Sequence, residues 1–306
     1  MQTFPSIENI NLQNSWLTIG IFDGVHRGHQ EILRQLVSGA HEEGSPAVIL
    51  TFSPHPAVVF GKKSDFKCLT TLDERIELLE AFDVDAVIIQ TFDRTLANQT
   101  AEEFMGRVSR TLGLCSLFVG YDAALGRGRE GDAARLTEIG KKLGYTVQVI
   151  PPLKDKAGVL SSTRIRAAVA AGDVSAAASD LGRYFFVTGP IVHGNGRGRT
   201  INIPTANIQI PMGKLIPANG IYATWARVGG KKYPAATSIG IRPTFTPEES
   251  VSHVEAHLLD FHQDIYGQEI KLEFVEYLRP EEKFPSVEDL LEQIHADIGR
   301  TRNILS

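Results

Sequence analysis

Two histidines three residues apart, His26 and His29, close the run Gly20-Ile21-Phe22-Asp23-Gly24-Val25-His26-Arg27-Gly28-His29. The apolar stretch Trp16-Leu17-Thr18-Ile19 before it predicts a buried strand, and Ile32, Leu33, Leu36 and Val37 after it recur at helical spacing. The run therefore turns a strand into a helix, whose N-terminus offers an anion free backbone N–H groups and a favourable dipole. Glycines let the backbone approach closely, and residues three apart on a helix share a face, so both histidines can address the same phosphates. Gly20, Phe22, Asp23 and Gly24 complete this candidate phosphate-binding turn. No Lys-Ser/Thr pair follows, which excludes a P-loop. A zinc pair would need a third ligand at suitable spacing, and neither cysteine lies nearby. Histidines that only cap the turn are the other alternative, although capping does not require glycines on both sides.

Three further segments carry similar chemistry. Ser53-Pro54-His55-Pro56 follows a second apolar run, and Gly120-Tyr121-Asp122 leads into Gly126-Arg127-Gly128-Arg129-Glu130-Gly131-Asp132 after a fourth. Ser161-Ser162-Thr163-Arg164-Ile165-Arg166 opens a helix, so its hydroxyls suit either backbone N–H groups or phosphate, and capping is the reading for Ser161. Arg164 and Arg166 lie about 200° apart around a helix and cannot face one ligand, and Arg166 is the phosphate candidate. The arginine-rich loop from Gly126 is either a ligand loop or a surface loop.

These segments need a scaffold. Strands predicted near 16–21, 46–52, 86–91, 116–120 and 146–150 alternate with helices near 29–42, 71–81, 100–112, 132–143 and 161–171, which reads as a Rossmann-like parallel α/β sheet. Ligands bind such sheets outside the carboxyl ends of the strands, where all four segments fall. Thr100 with Glu103 reads as a capping box. After Arg183 the texture becomes β-rich, broken by Gly, Pro and Asn, with one helix near 286–298; this predicts a β-barrel domain. The domains expected are 1–182 and 183–306.

With 306 residues, 42% of them hydrophobic and 22% charged, the chain has the composition of a soluble two-domain protein. A net charge of -5 argues against broad nucleic-acid binding. Two cysteines, Cys68 and Cys115, are too few for a disulfide framework and fit a reducing cytoplasm. The first residues lack the basic-then-apolar pattern of a signal peptide, and no run of about 18 apolar residues occurs, so neither secretion nor a membrane partner is expected. A weak homo-oligomer stays open.

The phosphate-binding run, the Ser-Pro-His-Pro turn and Ser-Ser-Thr-Arg-Ile-Arg together resemble the FMN adenylyltransferase module of prokaryotic bifunctional riboflavin kinase/FAD synthetases. Pro204-Thr205-Ala206-Asn207, Gly220-Ile221-Tyr222, Ser238-Ile239-Gly240-Ile241-Arg242-Pro243-Thr244-Phe245 and Val254-Glu255-Ala256-His257 resemble, in order, their kinase module. The resemblance implies that ATP and its phosphates lie near His26, His29, His55, Asp122, Ser162, Thr163 and Arg166. FMN phosphate would attack the α-phosphorus there, the two histidines acting as donors. In the second module it implies Thr205 and Asn207 on Mg2+, a hydroxyl and an amide oxygen suited to a hard cation, with Mn2+ equally acceptable to oxygen ligands. Glu255 would be the general base for the riboflavin 5′-hydroxyl; on sequence alone it is equally an exposed strand residue. Gly189, Gly194, Gly196 and Gly198 suggest either a loop over the nucleotide phosphates or, equally, a pair of β-turns, and Tyr222 and Arg279 would border the nucleotide or flavin. Two departures from the family pattern stand out: Ala123 and Leu125 replace the aromatics after Asp122, and Ile201-Asn202 replaces a Leu-Gly pair. The first leaves open a riboflavin kinase with weak or lost adenylylation. A non-catalytic flavin-binding regulator is a further alternative, and an adenylyltransferase for another substrate would explain the first half alone.

Overall fold

The computed structural model describes residues 1–61, 66–194, 201, 203–241 and 252–306. It divides into two units, Met1–Ser162 and Thr163–Ser306. The first holds strands β1 (Gln2–Phe4), β2 (Ser15–Ile19), β3 (Ala47–Ser53), β4 (Ala86–Thr91), β5 (Leu114–Gly120) and β6 (Thr146–Ile150) in one sheet of order β1-β4-β3-β2-β5-β6. All its neighbours run parallel, as the alternation of apolar runs and amphipathic helices requires. The chain steps outward from β2 to β3 and β4, then returns to the other side of β2 as β5. That reversal opens a crevice between the carboxyl ends of β2 and β5.

Side chains of β3 alternate between two cores. Val48 and Leu50 pack with Leu17, Leu117 and the helical residues Phe104, Met105 and Ile139, whereas Ile49 packs with Leu33, Leu79 and Val87. Helices α1 (Arg27–Glu42), α2 (Pro56–Val59), α3 (Leu72–Glu80), α4 (Arg94–Ala97), α5 (Ala101–Leu112) and α6 (Ala133–Leu143) fill the crossovers. Thr71/Glu74 and the expected Thr100/Glu103 form capping boxes opening α3 and α5. Gly113 and Gly144 end α5 and α6 in left-handed backbone. A short hairpin, β7 (Lys154–Asp155) with β8 (Gly158–Val159), follows the sheet.

The helix expected near 161–171 is α7 (Ser162–Ala170), and Gly172 breaks the alanine-rich stretch before a separate helix, α8 (Val174–Leu181). Gly172 has φ +81° and lies against the Tyr222 hydroxyl and Ala218. Strands β9 (Phe185–Val192), β10 (Ala206–Ile208), β11 (Gly220–Val228), β12 (Lys231–Ile241), β13 (Ser252–Leu258) and β14 (Glu269–Arg279) close into an antiparallel barrel of order β10-β13-β12-β11-β14-β9. Helix α9 (Val287–Ile304) runs six residues beyond the expected end and packs on β11, β12 and β14. Because α8 packs on β9 and β14, packing groups 163–182 with the barrel, whereas the change of sequence texture falls at Arg183.

Candidate active sites

In the first unit the turn after β2 is built under strain. Phe22 and Val25 have φ +53° and +38°, conformations that branched or bulky residues avoid, yet both side chains are buried. A Cβ on Gly20 would press on the Phe22 ring, and one on Gly28 would press on the His26 imidazole at 3.1 Å. His26 is the N-cap of α1: its Nδ1 accepts the His29 backbone N–H at 3.3 Å. That bond makes Nε2 the protonated, donating nitrogen of the neutral ring. The His26 and His29 rings stack at 3.6 Å, and Phe22 meets His29 edge-on. Capping and ligand binding are thus compatible: one nitrogen of His26 caps and the other remains a donor.

Asp23 has a different position from the one its charge suggests. Its buried carboxylate accepts from the Leu69 and Thr70 backbone N–H groups at 3.1 and 3.0 Å and from the Thr70 hydroxyl at 3.2 Å. The same hydroxyl accepts from Gly24 N, and Ser162 Oγ donates to the Asp23 carbonyl at 2.9 Å. Asp23 therefore ties the turn to the segment before α3 and to the start of α7. His55 repeats the arrangement of His26, with Nδ1 accepting from Ala57 N at 3.0 Å as the N-cap of α2.

Across the crevice, Asp122 is exposed beyond the end of β5. The loop after it is pinned rather than loose. Leu125 and Gly131 exchange two backbone hydrogen bonds, Arg127 N donates to the Gln99 carbonyl, and Glu130 accepts from Ala101 N. Ala123 and Leu125 pack on the apolar cluster that includes Phe104 and Leu136. Thr163 and Arg166 belong to the second unit, Thr163 exposed and Arg166 half-buried. Arg164 pairs with Asp180 at 2.8 Å.

In the barrel, Val254, Ala256 and Leu258 point inward, so Glu255 stands half-buried on the outer face of β13. Asn207 lies directly opposite it on β10. Thr205 donates its hydroxyl to Glu255 Oε2 at 3.2 Å, and His257 Nδ1 donates to the Pro204 carbonyl at 2.8 Å. A carboxylate, a hydroxyl and an amide thus converge on one patch. A Cβ on Gly194 would collide with the Asn207 amide, so only glycine lets the backbone cross this patch so closely. The described residues contain no group of three His, Cys, Asp or Glu that could hold a metal. A hard cation would instead take the Thr205 and Asn207 oxygens and complete its shell from phosphate and water, which fits Mg2+.

The other expected barrel residues have partners within the fold. Tyr222 is fully buried, with its hydroxyl donating to the Ala218 carbonyl at 2.6 Å and burial raising its pKa. Arg279 grips Asp297 of α9 through Nε and Nη2, the latter at 2.8 Å, and lies over the Phe284 ring. Gly189 is where β9 passes so close to Gln209 that a Cβ would strike its carbonyl oxygen. Gly198 and Arg242 to Phe245 lie outside the described residues.

Family models match both units: one described as FAD synthetase over residues 8–164 and one described as riboflavin kinase over 181–305. A bifunctional riboflavin kinase/FMN adenylyltransferase of Haemophilus influenzae is 38% identical over 97% of this chain and 97% of its own. The Listeria monocytogenes protein of that description is 34% identical over 94% and 92%. The chain belongs to the bifunctional riboflavin kinase/FMN adenylyltransferase family. A solved structure described as a macrolide-efflux protein from Streptococcus pneumoniae matches with TM-score 0.91 and 32% identity over 99% of both chains. That likeness is one of fold; among the described residues no helix is long and apolar enough to cross a membrane, and the efflux description stays with that protein.

Within the FAD-synthetase unit, sequence reasoning missed Thr51, Thr70 and Arg75, which hold the phosphate turn from beneath. A signal for Arg75 was present. It lies four residues before the buried Leu79, a charge on the apolar face of α3.

Proposed function

We propose that the second unit phosphorylates riboflavin with ATP to FMN and ADP, and that the first joins FMN to a second ATP to give FAD and pyrophosphate. The observation that carries this reading is that each half of the chain, matched by its own family model, holds its own constellation. Stacked histidines at a helix N-terminus stand in one, and a carboxylate beside a hydroxyl and an amide stands in the other.

In the first unit an FMN phosphate oxygen attacks the α-phosphorus of ATP while the bond to the bridging oxygen of pyrophosphate breaks. Attack of one anion on another leaves the protein the tasks of positioning and charge stabilisation. The Nε2–H of His26, together with His29 and the first N–H groups of α1, stabilises charge on the transferring and leaving phosphates. His55 supplies a second preset donor, and Asp122 and Ser162 complete the phosphate environment of this unit; Thr163 and Arg166 stay phosphate candidates on the resemblance alone. Gly20, Phe22, Asp23 and Gly24 shape the turn. Ala123 and Leu125, although smaller than aromatics, anchor the Asp122 loop on the apolar cluster, which favours retained FMN adenylylation over a kinase-only chain.

In the second unit Glu255 takes the proton of the riboflavin 5′-hydroxyl as that oxygen attacks the γ-phosphorus and ADP leaves. Thr205 and Asn207 hold Mg2+, or Mn2+ in its place, which when bound neutralises phosphate charge. Gly189, Tyr222 and Arg279 act by shaping the strands around the substrates, and Gly198 is assigned to the nucleotide by the resemblance alone. The reactions are assigned to the cytoplasm, where thiols such as Cys68 and Cys115, neither of them in a disulfide, stay reduced; any self-association is weak.

A selective lesion tests the reading. His29→Asn removes an imidazole from the stacked pair, so FMN should accumulate from riboflavin and ATP while FAD formation falls about 10²–10³-fold. Equal loss of both activities, or of neither, would contradict separate sites.

A further inference from the structure

Helix α3 carries a charge where its neighbours carry packing. Arg75 is 3% exposed, and its Nη1 donates to Thr51 Oγ1 at 3.0 Å and to the Phe52 carbonyl at 3.1 Å, at the carboxyl end of β3. Thr51, itself fully buried, passes the connection on: its hydroxyl donates to the Ile21 carbonyl at 3.1 Å, in the phosphate turn. Nε of Arg75 is buried with no hydrogen bond among the described residues. Burial lowers the guanidinium's pKa, while Asp23 and Cys68 pull it back up. An arginine remains cationic under these conditions. A core position that needed only packing would carry an apolar residue, as Leu79 does one turn later, since an incompletely partnered buried charge is costly.

The turn above this residue needs such a support. Positive φ at Phe22 and Val25 persists only where the surroundings over-determine the backbone. Asp23 fixes the turn on one side through Leu69 and Thr70, and Thr51 fixes it on the other through Ile21. We propose that Arg75 is a positioning residue for adenylyl transfer: acting through Thr51, it sets the Ile21–Gly24 turn and hence the His26/His29 pair against the phosphates of ATP. This inference rests on the adenylyltransferase reading of the first unit.

The test uses the full chain, fed FMN and ATP with riboflavin absent, so that the ATP dependence reports one site. Riboflavin phosphorylation, measured separately, reports the integrity of the other unit. Arg75→Met should raise KM for ATP in FAD formation about tenfold and lower kcat/KM about 10²-fold, the scale expected when reacting groups are displaced by about 1 Å. Arg75→Lys should fall between it and the unsubstituted chain, because an ammonium keeps the charge but not the fork geometry. Thr51→Val, which leaves Arg75 in place, should shift KM for ATP in the same direction. A residue that only stabilised the fold would reduce the amount of active enzyme and leave KM unchanged. An unchanged KM for ATP in Arg75→Met, within twofold, overturns the proposal whatever happens to kcat, and an unchanged KM in Thr51→Val overturns the relay. Failure of the unsubstituted chain to form FAD would overturn the underlying reading, and with it this inference.

Discussion

Glu255 and Thr205 come from different strands and meet at 3.2 Å, so a substitution can remove the base while keeping its shape and its acceptor oxygen. Glu255→Gln does this, and riboflavin phosphorylation should fall about 10²–10⁴-fold in a steady-state assay while FAD formation from supplied FMN holds. Retained kinase turnover would remove Glu255 from the chemistry. Residue types and spacing made His26 and His29 readable as candidates, whereas Thr205, Asn207 and Glu255 became candidates through the family resemblance, since a glutamate on a strand is by itself equally a solvent-facing residue. The partners of Asp23, Tyr222 and Arg279 were not readable. Asp23 is held by Leu69 and Thr70 and Arg279 by Asp297, contacts made by chain return over distances no local pattern records, whereas the Tyr222 hydroxyl reaches the carbonyl of Ala218, four residues before it and outside any helix or strand.

At the scale of elements, two devices hold the sites in place. The loop beyond Asp122 closes on α5, where a Cβ on Gly131 would stand 2.6 Å from the Ala101 Cβ and 3.0 Å from the Leu125 carbonyl oxygen. Gly131→Ala should therefore cost about 1–3 kcal/mol locally, read as a lowered melting temperature with FAD formation reduced and kinase activity kept. The Arg279–Asp297 pair docks α9 on the end of β14, with side chains 13% and 4% exposed. Asp297→Asn leaves a largely buried guanidinium short of its counter-charge. About 3 kcal/mol of barrel stability should be lost, measured by denaturant unfolding. Most elements were legible because apolar periodicity, the Thr100/Glu103 box and the alternation of strands with helices agreed with one another. The edge strand β1 escaped because three residues carry no periodicity. The division between α7 and α8 escaped because alanine favours helix on both sides of Gly172, and only the approach of Tyr222 shows why the chain must turn there.

For the molecule as a whole, a parallel sheet with its crevice at β2 and β5 and a closed barrel with a carboxylate on its outer face each present one phosphate chemistry. The product of the barrel is the substrate of the sheet, so both reactions draw on ATP and both should stop when EDTA removes divalent cations and resume on adding Mg2+. The shift from α/β texture to β-rich texture made the two-part architecture legible. The packing of 163–182 with the barrel was not, because helical periodicity does not say which core a helix joins. The most direct test of the central claim is a time course of the purified chain with riboflavin, ATP and MgCl2, with riboflavin, FMN and FAD separated by chromatography. The account predicts that FMN rises first and then gives way to FAD. FMN that accumulates without FAD, or riboflavin that binds and stays unchanged, would contradict it.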